Sequence, residues 1–536
     1  MDKKLGVVFY VSVIITGLFV LWGFFAPAQL QNVTGDILNF ITNTFGWFYL
    51  FATFMFLIFA LYLAFGPYGR IKLGEDDEDP EYGYMSWLAM LFSAGMGIGL
   101  VFWGVGEPMY HFFTPPTADI EPESVEAAST ALRYSFFHWG LHPWAIYTIV
   151  ALSLAYFQFR KRESGVISSA FRPILGNRVD GSIGYTIDTL AVIATVFGVA
   201  TSLGFGTLQI AGGLSYVLDI PSGIITQLMI ILIVTILYML STLTGLNRGI
   251  LYLSNVNLIV AGLLLFFVIF TGPTAFIIET FTTTIGSYLG ELIPMSFRMT
   301  PFTGGEWIGA WTIFYWAWWI AWAPFVGSFI ARVSRGRTIR EFVSGVLLVP
   351  TLLGGLWFAA FGGSAIFFDL NEGANIGAAV HDDLDSSLFV LLEQFPFGAV
   401  LAVLAILLII TFFITSADSA TFVLGMMTSK GALNPALSTR VVWGIIQSSI
   451  AAALLLSGHF SEEGDGLTGL QTASIIAALP FALVMLFMVV SVNRSLRQEV
   501  KAERRKEKRR IRKLEQLVEE EILNNEDDGS SPDTKR

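Results

Sequence analysis

The sequence contains no cysteine. Disulfides, thiol nucleophiles and thiolate metal sites are therefore excluded. Charge is scarce as well. Only 14% of the residues are Asp, Glu, Lys or Arg, 54% are hydrophobic, and mean hydropathy is +0.66. A soluble domain carries about 25% charged residues, so that class is excluded too. The five histidines are widely scattered along the 536 residues, which argues against a metal centre and a resident cofactor. The apolar runs hold no nucleophile with an adjacent base, so no enzyme chemistry is expected, and no nucleic-acid partner either.

What the chain has is hydrophobic length. Runs of roughly 20 apolar residues recur along nearly all of it, each enough to cross a hydrocarbon core of about 30 Å. Candidate transmembrane helices fall at about 7–27, 47–66, 85–106, 138–158, 187–212, 222–242, 252–272, 306–330, 343–368, 398–427, 440–458 and 469–491, twelve in all. Lys3 and Lys4 precede the first run, and Ala26-Pro27-Ala28 resembles a cleavage site. The run is longer than a signal core, so an uncleaved span is expected.

Charge tests the count. With both termini cytosolic, the inner segments collect Arg70, Lys72, Arg160, Lys161, Arg162, Arg172, Arg178, Arg248, Arg332, Arg335, Arg337, Arg340, Lys430 and Arg440. Only Arg133 and Arg298 fall outside. The positive-inside rule is met at almost every loop, and moving one span would invert half of them. The stretch 273–305 has apolar residues at helical spacing and reads as an amphipathic helix on the outer membrane surface. The tail 492–536 holds a basic block, Arg504–Lys513, followed by Leu514, Leu517, Val518 and Leu523 among glutamates. It reads as a cytosolic helix with a disordered end. It is either a topology anchor or an electrostatic sensor touching anionic lipid.

Four segments carry candidate chemistry. The stretch 311–330 reads WTIFYWAWWIAWAPFVGSFI. With Trp307 beside it, it holds Trp311, Trp316, Trp318, Trp319 and Trp322, too dense and too central for an interfacial belt. A face of indole rings is what a quaternary ammonium ligand needs, because ring quadrupoles hold the cation without any hydrogen bond. In the fourth span, Trp144 and Tyr147 share a helix face, and Trp139 precedes a kink expected at Pro143. The third span contains Ser93-Ala94-Gly95-Met96-Gly97-Ile98-Gly99. Glycines at alternate positions weaken a helix, and unwound carbonyls in transporters commonly coordinate sodium. Close helix packing explains the same glycines. The tenth span contains Phe412, Thr415, Ser416, Asp418 and Ser419. The hydroxyls suit a monovalent cation, and Asp418 is an intramembrane carboxylate.

These residues together resemble the betaine/carnitine/choline transporter family. The resemblance covers the membrane region and rests on AGMGIGLVFWGVGEP, FHWGLHPWAIY and YWAWWIAWAPFVGSFIARVSRGRTIREF. It implies an all-α integral membrane protein of twelve transmembrane helices, with two LeuT-like inverted repeats of five helices preceded by two extra helices. The corresponding divisions are 1–84, 85–272 for the first repeat, 273–305 for the outer connecting helix, 306–491 for the second repeat and 492–536 for the tail. It also implies a homotrimer, alternating access and a small zwitterionic trimethylammonium substrate.

By position, the resemblance assigns Trp139, Trp144, Tyr147 and Trp319 to the aromatic site, with Trp318 and Trp322 along the path and Gly95 and Met96 beside the ligand. Main-chain oxygens of Ser93 and Met96, with Phe412, Thr415 and Ser416, match a sodium site. Thr195, Ser202 and Phe325 match a second one more loosely, since Val199 stands where a hydroxyl is expected. The glycine run lacks the acidic residue of choline and carnitine members. The expected function is therefore import of glycine betaine or a related compatible solute with sodium, for osmoprotection, across a bacterial cytoplasmic membrane. The rival readings are a sodium-independent carnitine or betaine exchanger, a sodium-coupled importer of ectoine or proline, and a betaine receptor that moves nothing.

Overall fold

The computed structural model describes residues 5–95, 97–244, 247–432, 434–460 and 466–528. Among them there is no strand, only an isolated bridge between Lys72 and Thr338. Hydrocarbon offers backbone groups no partner, so a spanning chain must satisfy them within helices. The principal helices are α1 Val7–Phe25, α2 Pro27–Phe65, α3 Tyr84–Gly95, α4 Ile98–Phe113, α5 Val125–Trp139, α6 Leu141–Ala155, α7 Ser182–Leu218, α8 Ile224–Thr244, α9 Asn247–Thr271, α10 Thr274–Gly290, α11 Phe314–Val333, α12 Ile339–Glu372, α13 Gly398–Thr428, α14 Leu437–Gly458 and α15 Gly466–Asp528.

Among the described residues, eleven helical segments are long and apolar enough to cross a membrane. The expected span 85–106 is not among them, because its helix is interrupted. α3 ends at Gly95, and α4 starts after Gly97, which is extended at φ −168° and ψ −172°. At about 1.5 Å per residue, neither piece alone covers the hydrocarbon core.

Local signals fix the other boundaries. Pro27 opens α2 at a position whose N–H has no helical partner anyway. Thr338 and Glu341 form a capping box at the start of α12, and Gly373 ends it at φ 67°. The interruption expected at Pro143 lies three residues earlier, at Gly140. Pro143 falls in the first turn of α6, where a missing N–H costs nothing. Gly140 is where Tyr288 crosses: its hydroxyl accepts the Leu141 N–H at 2.9 Å, and a Cβ on Gly140 would meet it at 2.7 Å.

The helices sort into a core and a rim. The segment Val125–Arg160 has 94% of its most apolar window buried, whereas α1 and α8 have 28%. The rim helices expose Leu18, Leu21, Leu232, Ile236, Leu263 and Phe266 outward, as a lipid-facing surface would. α11 lies at the centre against α6, α7 and α15. The stretch 273–305 is helical over α10 as expected, with Ile277 and Tyr288 buried and Ile278 and Leu289 exposed.

α15 has 63 residues, a length of about 95 Å, so it extends far beyond the bilayer. Glu499 anchors it. Its carboxylate accepts from Lys161 Nζ at 2.5 Å and from the Tyr156 hydroxyl at 2.7 Å, and it pairs with Arg160. Arg160 also reaches Asp76 at 2.9 Å and the Gly74 carbonyl at 2.9 Å. One partly exposed cluster thus ties three segments together. Glu499→Gln should remove charge-assisted bonds of about 1.5 kcal/mol or more each. Amide exchange over 496–503 should quicken about tenfold or more, and unchanged rates would show that packing alone holds α15.

Candidate functional site

A cavity of about 640 Å³ lies between α3, α4, α6, α7, α9, α11 and α13. Its inner wall is aromatic. Trp139 stands edge-on to Trp319 at 4.8 Å between centroids and to Trp318 at 6.1 Å. Tyr147 meets Trp319 at 6.0 Å and Trp144 at 5.5 Å. Trp322 and Phe325 line the next turn of α11.

Four of the cavity's indole N–H groups are engaged. Trp319 donates to the His138 carbonyl at 2.9 Å, Trp318 to Ser202 Oγ at 3.2 Å and Trp322 to the Gly198 carbonyl at 2.6 Å. Trp139 donates to Glu107 Oε2 at 2.9 Å. These bonds lock the planes of the rings. A ring held this way presents π surface, which attracts a cation that has no proton to give.

The glycine run divides by role. A Cβ on Gly99 would lie 2.4 Å from Trp318 and 3.2 Å from Trp139, so glycine lets those rings touch α4. Gly97 lines the cavity with nothing within 4 Å of a Cβ. Gly95 ends α3, and Met96 lies outside the described residues.

The facing wall carries oxygen. Ser93, Phe412, Thr415, Ser416 and Ser419 all line the cavity. Thr415 Oγ1 donates to the Thr411 carbonyl at 3.0 Å and accepts from Asn257 Nδ2 at 3.5 Å. Asn257 is a buried neighbour on α9 that sequence reasoning missed. Ser202 and Phe325 also reach the cavity, but Thr195 is not part of its lining. The Thr195 hydroxyl is fully buried and donates to the Ala191 carbonyl at 2.7 Å. The three residues expected to form a second ion site are thus not all brought to one cavity.

At one end the cavity reaches Arg332 and Arg440. Asp418 is buried there, accepting from Thr242 and lying 3.7 Å from Arg440. Its charge is thereby compensated. Beyond Trp318 lies a plug of packed rings, one pair stacked and two edge-on. Phe102 packs on Phe205 at 5.3 Å, Phe205 on Trp318 at 5.0 Å, and Trp103 on Trp311 at 5.3 Å.

The tryptophans around 311–330 do not form one face. Trp318, Trp319 and Trp322 line the cavity. Trp316 is fully buried and stacks on His142 at 5.2 Å, while Trp307 and Trp311 pack on His111 at 4.9 and 4.3 Å. A helix turns 100° per residue, so six closely spaced rings must point in several directions.

The histidines, scattered in sequence, are not scattered in space. His111 and His138 converge on Glu107, and all three are fully buried. Sequence reasoning missed Glu107, though a carboxylate within an apolar run was the available signal. The trio could be taken for a metal site. However, His138 Nδ1 lies 2.6 Å from Glu107 Oε1. Two ligands of a tetrahedral zinc ion at 2.0–2.1 Å would stand about 3.3 Å apart. The spacing is that of a hydrogen bond. His142 also bonds as a structural residue, to Ser296 Oγ at 2.9 Å.

An interrupted helix beside an indole-lined cavity, inside a bundle of apolar helices, defines a multi-pass membrane transporter. The chain belongs to the betaine/carnitine/choline transporter family: the family model described as BCCT, betaine/carnitine/choline family transporter, matches residues 7–501. It is 53% identical over 520 residues to the glycine betaine transporter OpuD of Bacillus subtilis (strain 168), covering 96% of this chain and 98% of that protein. It is 49% identical to the ectoine/hydroxyectoine transporter of Virgibacillus pantothenticus, covering 93% of this chain and 98% of that protein. It is 47% identical to a probable glycine betaine transporter of Desulfitobacterium hafniense (strain Y51), covering 93% of this chain and 99% of that protein.

Proposed function

We propose that the chain imports glycine betaine, or a closely related compatible solute, together with sodium across a bacterial cell membrane. The observation that carries this reading is the cavity's two-sided chemistry. Trp139, Trp318 and Trp319 offer ring faces to a methylated cation, and the break before Ile98 leaves main-chain groups for a carboxylate or an ion. The relatives named for glycine betaine transport support the substrate class. The one named for ectoine keeps ectoine beside betaine.

In this reading Ser93, Phe412, Thr415 and Ser416 hold the sodium ion. Its charge orders the break between α3 and α4 against α13, and that completes the aromatic box. Two ligands that favour one conformation raise each other's affinity. Met96 belongs to the same proposed set. Thr195, Ser202 and Phe325 are the weaker set, for the reason given above. The two five-helix repeats, 85–272 and 306–491, the outer helix 273–305 and a homotrimer belong to the same proposal.

With the amino end inside, the mouth beside Arg332 and Arg440 faces the cytoplasm and the ring plug faces outward. The ligand-free chain then rests open to the inside. The tail 492–536, with its basic face near anionic lipid, would set the response to internal salt. Glu499→Gln should then shift the osmolality needed for activation.

The decisive experiment is uptake of labelled glycine betaine into proteoliposomes with and without an inward sodium gradient. Accumulation that collapses without sodium is expected. Exchange that ignores sodium would replace this reading with the carnitine-type exchanger. Sodium-driven uptake of ectoine but not betaine would change the substrate only.

A further inference from the structure

We infer that Glu107 is the positioning residue that sets the aromatic box, through Trp139 and Tyr315. The inference rests on the proposed aromatic site and adds a residue that does not touch the ligand.

The carboxylate sits on α4 and is fully buried, without a lysine or arginine partner among the described residues. It is neutralised by donors instead. Oε2 accepts the Trp139 indole N–H at 2.9 Å and the Tyr315 hydroxyl at 2.6 Å. Oε1 faces His138 Nδ1 at 2.6 Å. His138 Nε2 lies 2.9 Å from Thr312 Oγ1. One assignment satisfies both His138 nitrogens: Thr312 donates to Nε2, and the Nδ1 proton points at the carboxylate. Three donors around one carboxylate are each worth more than neutral hydrogen bonds.

The donors come from two different elements. His138 and Trp139 end α5 and Tyr315 lies in the first turn of α11, while Thr312, which meets His138, lies in the turn Gly309–Ile313 before it. Tyr315 in turn stacks on Trp319 at 6.1 Å and meets Trp139 at 5.8 Å. One carboxylate therefore fixes rings on both walls of the box. It does so from α4, the helix that begins at the break. Eight residues separate Gly99, which touches Trp318 and Trp139, from Glu107, which holds Trp139 by its nitrogen. Any tilt of α4 when the break is occupied must re-aim Trp139. Glu107 thus transmits the state of the break to the rings. Without it the Trp139 ring keeps its volume but loses the bond that fixes its plane.

The two conservative replacements differ in a useful way. Glu107→Gln keeps one acceptor oxygen for Trp139 and Tyr315. Its amide can donate to His138 Nδ1 if the His138 proton moves to Nε2 and faces Thr312. Glu107→Ala keeps none of these bonds. The dissociation constant of glycine betaine, read at saturating sodium from the intrinsic tryptophan fluorescence of purified full-length protein, should therefore rise in the order wild type, Gln, Ala. The expected steps are about threefold for Gln and about thirtyfold or more for Ala. A merely structural role would lower the folded yield and leave the dissociation constant of the folded fraction unchanged. If Ala does not fold, Gln and Tyr315→Phe carry the test, the latter removing one donor from the same oxygen.

A second readout needs no ligand. The ultraviolet resonance Raman marker of indole N–H bonding should lose one strongly bonded tryptophan in Glu107→Ala, the same one lost in Trp139→Phe. An unchanged marker, or an unchanged dissociation constant in both Gln and Ala, overturns the inference. Wild-type protein that ignores betaine, with the Raman marker still lost in Glu107→Ala, would sink the substrate reading and leave the positioning role standing.

Discussion

Gly99→Ala should cut betaine uptake at least tenfold, through affinity, while the protein still folds and reaches the membrane. The added methyl would sit 2.4 Å from Trp318 Cη2 and 3.2 Å from the end of the Trp139 ring. Neither ring can retreat. Trp318 is backed by Phe205 at 5.0 Å, Phe314 at 5.8 Å and Trp319 at 4.7 Å. Overpacking of this kind costs about 1–3 kcal/mol, and here it falls on the rings that would hold the ligand. The helix itself gains about 1 kcal/mol from alanine, so a broken α4 cannot be the cause of a loss. Gly97→Ala is the matched control. Its φ of −168° suits any residue and its Cβ would meet nothing, so its Michaelis constant should stay within about twofold of wild type. Equal losses in both variants would mean that backbone freedom at the break matters, not room for the rings.

The second large effect is expected for Thr415→Ala with Ser416→Ala. Both line the cavity opposite the rings, and Thr415 already gives its proton to the α13 backbone, so its oxygen faces inward as an acceptor. Removing two neutral oxygen ligands from a monovalent ion should raise half-maximal sodium about tenfold or more, at about 1.5 kcal/mol for each contact with a charge. Because coupling is reciprocal, betaine affinity at low sodium should fall and should recover at saturating sodium. Uptake by the double variant with the wild-type sodium curve would move the ion elsewhere. Asn257 is the internal check. Its amide reaches Thr415 at 3.5 Å, and Asn257→Ala should alter the same curve less.

Much of this was legible in the residues. Long apolar runs and the placement of arginines located the helices, because the bilayer imposes both length and charge sidedness. The break at Gly95–Gly97 was one of two readings that the glycine spacing allowed, close helix packing being the other, and the ring cluster was readable from tryptophan density. What was not legible shares one cause: it depends on side chains that meet only after folding. Glu107 and His111 share a face of α4 by their four-residue spacing, but His138 lies on α5, and nothing in the sequence announces that it meets them. Gly140 looks like any other helix glycine until Tyr288 is seen across it. Thr195 matched a pattern by position, but its hydroxyl turns back onto its own helix. Density of tryptophan also overstated the site, since helical rotation sends Trp316 and Trp311 into other layers.

The ring plug between Phe102 and Trp318 has a kinetic meaning. In the proposed reading, a ligand-free carrier open beside Arg332 and Arg440 must reverse before it can capture anything from the opposite bath. Every turnover from that bath then includes the same reversal. Solute already present on the open side meets no such delay. In the proposed reading the same five rings make the idle protein quicker to take solute from the inner side than from the outer, and the coupled ion sets the direction of net flow.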